Sequence, residues 1–316
     1  MYRQPSHLFF GKLLLSESGV QQRNPLGPLF FCFVTSKVSM SLQAPLKIFY
    51  LDDRTVDGTV KEVLDDIARV VDLGGKVGLS LNLSKCEVFV YGGAAPSRAA
   101  ATRTILQSVP DFRFPLSEGL ELLGASLMLD GVGAAIDRKT VAITFLTSQL
   151  PLLAAHQALF FLLKNCLAAP KMIYLLRCSP TFTRFNSLVA FHTVLRNSVV
   201  TITNTEMSDA VWKQATLPVS RGGLGNRRTK DLSLPAFLVS VHSVHHLKME
   251  IVPAADLDAI TTETTLQWNV ATTQQLPDQP RIQKLWDRPI VEKAIQDAGE
   301  VGRARLLAMT SEFAGA

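Results

Sequence analysis

Charge and cysteine are both scarce in this chain of 316 residues: Asp, Glu, Lys and Arg together make 19%, and there are 4 Cys. Cys32, Cys86, Cys166 and Cys178 stand far apart and form no C-x-x-C pair. That spacing excludes a zinc ribbon and a disulfide frame, and it predicts buried thiols in a reducing compartment. A long apolar run is also missing. The longest, residues 151–163, is broken by His156 and Gln157 and stops at Lys164, short of the roughly 20 apolar residues of a membrane-spanning helix. One cation, Arg3, precedes the first apolar run, and no recognisable cleavage site follows it. Neither a secretory signal nor a membrane anchor is expected, and the predicted location is intracellular, nucleus or cytoplasm. Apolar side chains, by contrast, make 47% of the residues, which excludes global disorder. A chain this long buries well over half of its unfolded surface without staples, and its length suggests roughly two domains.

The formal net charge is +5, and its distribution says more than its sum. Residues 1–150 hold 15 basic and 14 acidic side chains, residues 151–250 hold 11 and 4, and residues 251–316 hold 6 and 9. The densest basic cluster is Arg221, Arg227, Arg228 and Lys230. Such a cluster suits a phosphate backbone, and it equally suits a solvated loop.

Along the chain the pattern changes once. A polar, turn-rich segment leads into Leu29-Phe30-Phe31-Cys32-Phe33-Val34, read as the start of a helix with Pro28 in its first turn. Lys47-Ile48-Phe49-Tyr50-Leu51 is strand-like, Asp52-Asp53 interrupts it and Thr55-Val56 resumes it, so the spacing predicts a tight hairpin around the Asp pair. Thr59 and Glu62 fit a capping box ahead of Val60, Val63, Leu64, Ile67, Val70 and Val71, an amphipathic helix that Gly74-Gly75 is suited to end. Residues 79–90 read as a strand, 92–101 as a small-residue break before a helix to about Val109, and 120–129 as a further strand or hairpin. From about Ala134 the pattern is helical, with breaks expected at Pro151, Pro170, Pro180, 217–225, Pro235, Pro253, Pro277 and Pro289. The expected fold is therefore α+β: a mixed part over 1–133 and an all-α part over 134–316.

Adjacent carboxylates at a hairpin tip repel each other and are most comfortable around a cation. Phosphoryl transfer uses carboxylates this way, holding Mg²⁺ against a nucleotide's phosphates at the edge of a sheet. A bare Asp-Asp is equally at home in a solvated turn.

The context extends beyond a bare pair. Tyr50-Leu51-Asp52-Asp53 resembles the Tyr-x-Asp-Asp motif C of reverse transcriptases. Gly19-Val20-Gln21-Gln22-Arg23-Asn24-Pro25-Leu26-Gly27-Pro28 resembles motif B, and Gly78-Leu79-Ser80-Leu81-Asn82-Leu83-Ser84-Lys85-Cys86-Glu87 resembles motif D. Leu122-Leu123-Gly124-Ala125-Ser126-Leu127 is similar to motif E, the primer grip. The four stand in the family's order over residues 18–127. Tyr174-Leu175-Leu176-Arg177 and the segment from Leu217-Pro218 through Gly222-Gly223-Leu224-Gly225 resemble, more loosely, the thumb and connection of non-LTR retrotransposon proteins. The resemblance implies an incomplete polymerase-type palm, an antiparallel sheet backed by helices, followed by a helical thumb. It implies an RNA-directed DNA polymerase, a nucleotidyltransferase acting on RNA template, DNA primer and dNTP with Mg²⁺ or Mn²⁺. By the same resemblance Asp52 and Asp53 hold metal, with Asp52 the principal ligand. Tyr50 lies near the primer terminus, Gln22 and Arg23 near template or nucleotide, Lys85 near the departing pyrophosphate, and Leu123 and Gly124 at the primer backbone.

Three departures bear on activity. Two-metal transfer needs carboxylates from two strands, and in the family motif A supplies the second; here Asp52 is the first aspartate, and Glu17 is the one acid before Ser18. Arg23 replaces the usual Gly of motif B, and Arg54 stands where Gly commonly follows the Asp pair. The expectation is a truncated chain, a polymerase by lineage and catalytically silent, or alternatively a non-catalytic nucleic-acid-binding protein using the basic region 151–250. His242, His245 and His246 read as surface or half-buried histidines, and Gly222-Gly223-Leu224-Gly225 as an interhelical turn.

Overall fold

Helix dominates the described residues, and among them the strands pair as short antiparallel hairpins, a helix-dominated α+β protein. The computed structural model describes residues 6–9, 13–16, 24–153, 155–251 and 259–310. It divides into two units, Met1–Phe114 and Pro115–Ala316.

In the first unit β1 (Ser6–Phe9) pairs with β2 (Leu13–Ser16). Helix α1 (Gly27–Ser41) carries proline in its first turn, where a missing N–H leaves no helical bond unmade. Strands β3 (Leu46–Tyr50) and β4 (Asp53–Asp57) form the hairpin that the Asp pair predicted. Helix α2 (Val60–Lys76) opens with a complete capping box: Glu62 accepts from the Thr59 N–H at 2.8 Å, and Thr59 Oγ1 accepts from the Glu62 N–H at 3.3 Å.

Three local expectations are corrected here. Helix α2 includes Gly74-Gly75 and ends just beyond them, at Lys76. Gly78, at φ +77°, donates to Gly75, and Leu79 donates to Gly74, the paired ending that a left-handed residue makes possible. Residues 79–90 are not a strand. Asn82 accepts from the Lys85 N–H and the Cys86 thiol, which curls Leu83–Lys85 into a 3₁₀ turn, and pairing resumes only as a single bridge between Glu87 and Arg113. The small-residue stretch is largely helix, because α3 (Ala95–Ser108) starts inside it with proline in its first turn.

The first unit's core is thin. Val38 of α1 and Leu42 just past its end meet Val70 of α2, with Phe49, Val56 and Leu73 packed against them. Beside them lies a fully buried carboxylate, Asp66, which accepts from the Gln43 and Ala44 N–H groups at 2.9 Å and pairs with Arg69 at 2.6 Å. Burial works to raise its pKa, but the Ala44 and Gln43 N–H groups and then Arg69 outweigh that and hold it below the ordinary 3.8.

The second unit begins at Pro115, ahead of the expected division at 133, because a hairpin of β5 (Glu121–Leu122) and β6 (Ala125–Ser126) packs with the helices that follow it. Those are α4 (Gly131–Gln149), α5 (His156–Leu162), α6 (Ala169–Cys178), α7 (Phe185–Thr203), α8 (Asp209–Ala215), α9 (Thr229–Ile251), α10 (Ala259–Thr272), α11 (Gln283–Gln296) and α12 (Gly299–Met309). Gly131 is required at the hairpin: a Cβ there would stand 2.5 Å from the Glu118 carbonyl. Helices α4 to α9 share one core that includes Ile136, Leu163, Met172, Leu176, Phe191, Leu195 and Trp212. A second cluster joins Leu238, Val239, Trp268 and Trp286.

Four more expectations change here. Pro235 lies inside α9 and Pro289 inside α11 instead of breaking them. An interior proline costs about 3 kcal/mol; in α9 the burial of Leu232, Ala236 and Leu238 around Pro235 offsets it. None of the cysteines is fully buried: Cys32, Cys166 and Cys178 are exposed and Cys86 is half-buried. One segment, Leu159–Cys178, does reach the length and hydropathy of a membrane span. In the fold it is broken by a π-helical turn at Leu163–Leu167, and it sends Leu159, Leu163, Met172, Leu175 and Leu176 into the core.

Candidate functional site

The β3–β4 hairpin is closed by two residues, Leu51 and Asp52, between the paired Tyr50 and Asp53. Leu51 has φ +55° and Asp52 does not share the positive sign; a positive φ at the first position of a two-residue hairpin turn ordinarily goes to Gly. Cross-strand partners share a face, so Tyr50 and Asp53 stand together on one side. Phe49 and Arg54 share the other, where Phe49 packs against Val38, Leu42 and Val70. Asp52 and Asp53 are exposed, and Tyr50 keeps 59% of its surface in solvent. Further along the Tyr50 face, Asp57 accepts a 2.7 Å hydrogen bond from the Tyr91 hydroxyl. That bond and burial raise the pKa of Tyr91.

Arg54 is half-buried. Its guanidinium carbon lies 5.4 Å from the centre of the Phe49 ring, and its Nε is buried with no hydrogen-bond partner. Lys85, at the end of the 3₁₀ turn, is exposed, and no hydrogen bond or ion pair among the described residues links it to Asp52 or Asp53. Gln22 and Arg23 lie outside the described residues. The fold thus groups Tyr50, Asp52 and Asp53 on one turn and leaves Lys85 apart from them.

Leu123 and Gly124 belong to the second unit. They close the β5–β6 hairpin with φ +51° and +80°, both positive as in a type I′ turn. This turn is anchored: the Tyr174 hydroxyl of α6 donates to the Leu123 carbonyl at 2.7 Å, and Ser179 Oγ donates to the Ser126 carbonyl at 3.1 Å.

The basic cluster of the second unit is neither a bare phosphate cradle nor a solvated loop. Arg227 pairs with Asp287 at 3.5 Å, Arg228 with Asp231 at 2.6 Å and Arg221 with Glu292 at 3.9 Å. Lys230 lies 5.2 Å from the centre of the Phe185 ring. Burial raises the Asp287 pKa to about 6, the charge of Arg227 opposes that, and Asp231 adds to it. Among the three histidines, His242 stacks on Trp286 with centroids 5.5 Å apart, and burial lowers its pKa. Gly222 to Gly225 form the turn between α8 and α9, held by Gly223 N–H to Pro218 and Gly225 N–H to Leu217.

Sequence reasoning missed Asp66 and His192. The signal for Asp66 was a carboxylate on the otherwise apolar stripe of Val63, Ile67 and Val70. His192 is buried beside Trp212, with neither ring nitrogen hydrogen-bonded, and burial, then Arg228, Lys230 and Arg196, push its pKa down to about 3.

Among the described residues no group of three or more His, Cys, Asp or Glu is placed to hold a metal ion. Two carboxylates on one exposed turn give Mg²⁺ or Mn²⁺ an incomplete donor set, since Mg²⁺ demands near-octahedral oxygen ligation and two-metal transfer draws carboxylates from separate strands. The described residues alone do not complete a two-metal centre. Comparison with protein-family models, curated proteins and solved structures finds no match to this chain.

Proposed function

We propose that this chain is a reverse-transcriptase-type polymerase segment of non-LTR retrotransposon lineage, which engages nucleic acid but does not complete nucleotidyl transfer by itself. The observation that carries the reading is the Tyr50-Leu51-Asp52-Asp53 hairpin with Leu51 in the left-handed region. Among the described residues four non-glycine positions have positive φ: Leu51, Leu123, Asn204 and Thr273. Asn204 caps α7, a common use of asparagine. Leu51 and Leu123 instead sit at the first positions of the two hairpin turns that the motif resemblance names. A leucine held there costs roughly 1–2 kcal/mol, and backbone strain concentrates where function requires it.

On this reading Tyr50, Asp52 and Asp53 face the primer end and the nucleotide. Lys85 supplies a cation for pyrophosphate, Gln22 and Arg23 lie toward template or nucleotide, and Leu123 and Gly124 steady the primer backbone. Mg²⁺ or Mn²⁺ would be shared with carboxylates beyond those that the described residues bring to the turn. The test is primer extension by the purified chain on RNA and DNA templates with either metal. No extension is expected, because losing metal stabilisation of the transferring phosphoryl costs several kcal/mol, or about a thousandfold in rate. Extension that disappears in Asp52→Asn would overturn the non-catalytic part.

A second reading, nucleic-acid binding without a polymerase role, is favoured by one observation. Between Asp137 and Glu206 the chain has no acid and seven bases: Arg138, Lys139, Lys164, Lys171, Arg177, Arg184 and Arg196. Lys171, Tyr174 and Arg177 lie on the exposed face of α6. Binding to single-stranded RNA should weaken about tenfold or more between 50 and 200 mM salt. Salt-insensitive binding, or none, counts against both readings.

A further inference from the structure

We propose that the groove between the C-terminal halves of α4 and α7 is a binding site for a small uncharged molecule, one with an apolar body and hydrogen-bond donors along its edge. This reading goes beyond the polymerase assignment and does not depend on it.

The groove measures about 520 Å³, within the roughly 300–1,000 Å³ of small-molecule sites. It is bounded by α4, by α7, and by the chain from the Leu150–Leu152 turn to His156 and Leu159 of α5. Further along the same helix pair Ile143, Leu195 and Val199 close the gap as part of the core. Here the facing positions are small and polar, and space remains. None of the described residues lining it is Asp, Glu, Lys or Arg. A carboxylate, a phosphate or an ammonium would therefore lose water without meeting a counter-charge, which is costly. The buried Leu150 and Leu159 favour an apolar body instead. The polar atoms of the groove are mostly acceptors. Thr144, Thr147, Ser198 and Thr201 each donate their hydroxyl hydrogen to a carbonyl one turn back in their own helix, at 2.8–3.0 Å, which leaves lone pairs on their oxygens. His156 adds another. Ile202 lies in the last turn of α7, where carbonyls have no helical partner, and His156 Nδ1 stands 2.9 Å from its oxygen. A carbonyl only accepts, so Nδ1 carries the hydrogen and Nε2 of the neutral ring is an acceptor. An apolar molecule bearing donors satisfies these atoms without burying a charge.

The probe is 4-fluorophenol, titrated into the full chain at pH 8, above the ordinary imidazole range, and followed by fluorine NMR. Two matched controls accompany it: 4-fluoroanisole keeps the ring and loses the donor, and 4-fluorobenzoate adds a charge. Saturable millimolar binding of the phenol is expected, about fivefold tighter than that of the anisole, with no binding of the benzoate. His156→Phe keeps a ring and removes the acceptor. It should bring the phenol down to the level of the anisole and leave the anisole unchanged; an equal change in both probes would overturn the acceptor role and leave His156 as a cap of α7. Ser198→Phe fills the groove and should abolish binding of both, with circular dichroism to confirm folding. Should it fail to fold, Thr144→Phe, at an exposed position, carries the same expectation. The proposal is overturned if the phenol does not bind, binds no better than the anisole or the benzoate, or still binds when the groove is filled.

Discussion

The two units are held together by different physics. Among the described residues the Pro115–Ala316 unit has a core of twenty buried side chains, whereas the largest cluster in Met1–Phe114 has three. What the first unit lacks in apolar contact it makes up in fixed polar ties: Asp66 joins α2 to the exit of α1, Thr59 and Glu62 cap α2, and Lys47 closes on Leu42. An apolar core tolerates local change because its contacts are many and non-directional. A polar frame fixes geometry with few bonds and fails when one is removed. The unit that presents the Asp pair is thus the more precisely tied and the less redundantly supported.

Acid should invert that ranking first. His192 is buried neutral, so it favours folding above its ordinary 6.5, and that contribution is lost as pH falls toward about 3. The gap is worth at most about 5 kcal/mol. The better-packed unit is therefore expected to melt at progressively lower temperature below pH 6.5, and His192→Phe, which keeps the contact with Trp212, should flatten the dependence. The first unit should hold its stability to lower pH. Asp66 contributes above its ordinary 3.8 and loses that contribution only as pH falls through its depressed folded value. Calorimetry over pH 3–8 with both transitions resolved checks this; a first unit that fails at higher pH than the second would break it.

At neutral pH the ranking should be plain. Asp66→Ala leaves two backbone N–H groups unpaired in a buried place, a loss of about 3–5 kcal/mol. With so small a core beside it, the lower thermal transition should vanish while the upper one stays. Phe191→Ala removes a fully buried ring at a similar cost of about 3–5 kcal/mol. There the upper transition should shift and persist, because nineteen neighbours in its cluster remain.

How much of this was legible beforehand follows the same division. Local rules predicted the hairpin at Asp52-Asp53, the capping box, and the proline-led start of α1, because each depends on residues close in sequence. They failed where distant contacts decide. Pro235 and Pro289 read as breaks until the packing around α9 and α11 holds them inside helices. The basic cluster read as solvent-facing or phosphate-facing because its partners, Asp287 and Glu292, lie far along the sequence. At the site, motif order singled out Tyr50, Asp52 and Asp53, yet nothing in the spacing revealed that Arg54 folds back over Phe49.

Asp287 offers a smaller effect of opposite sign within the second unit. Its folded pKa of about 6 lies above the ordinary 3.8, so its contribution is full below pH 3.8 and is lost as pH rises through about 6. At pH 8 the buried charge costs at most about 3 kcal/mol. Asp287→Asn should therefore raise the upper transition at pH 8, by less than that because Arg227 loses its ion partner, and should give no gain at pH 4. A variant less stable than the parent at both pH values would mean that the pair with Arg227 outweighs the burial.

The finest comparison is between the two strained turns. Leu51→Gly relieves a left-handed leucine, a gain of roughly 1–2 kcal/mol, against the roughly 0.5–1 kcal/mol that glycine loses in backbone entropy. A net rise of about 0.5–1 kcal/mol in the first unit is expected from denaturant unfolding. Leu123→Gly should give less. Tyr174 and Ser179 hold that hairpin from α6 and its exit, so part of the glycine's freedom to relax is already restrained. Both leucines are partly exposed, 39% and 45%, so neither substitution removes a core contact that would mask the backbone effect. If Leu51→Gly destabilises instead, the side chain is held by packing, and strain no longer marks the turn. If it stabilises the hairpin while weakening RNA binding, the leucine is retained at a cost in stability for the sake of contact, and the left-handed turn belongs to function rather than to folding.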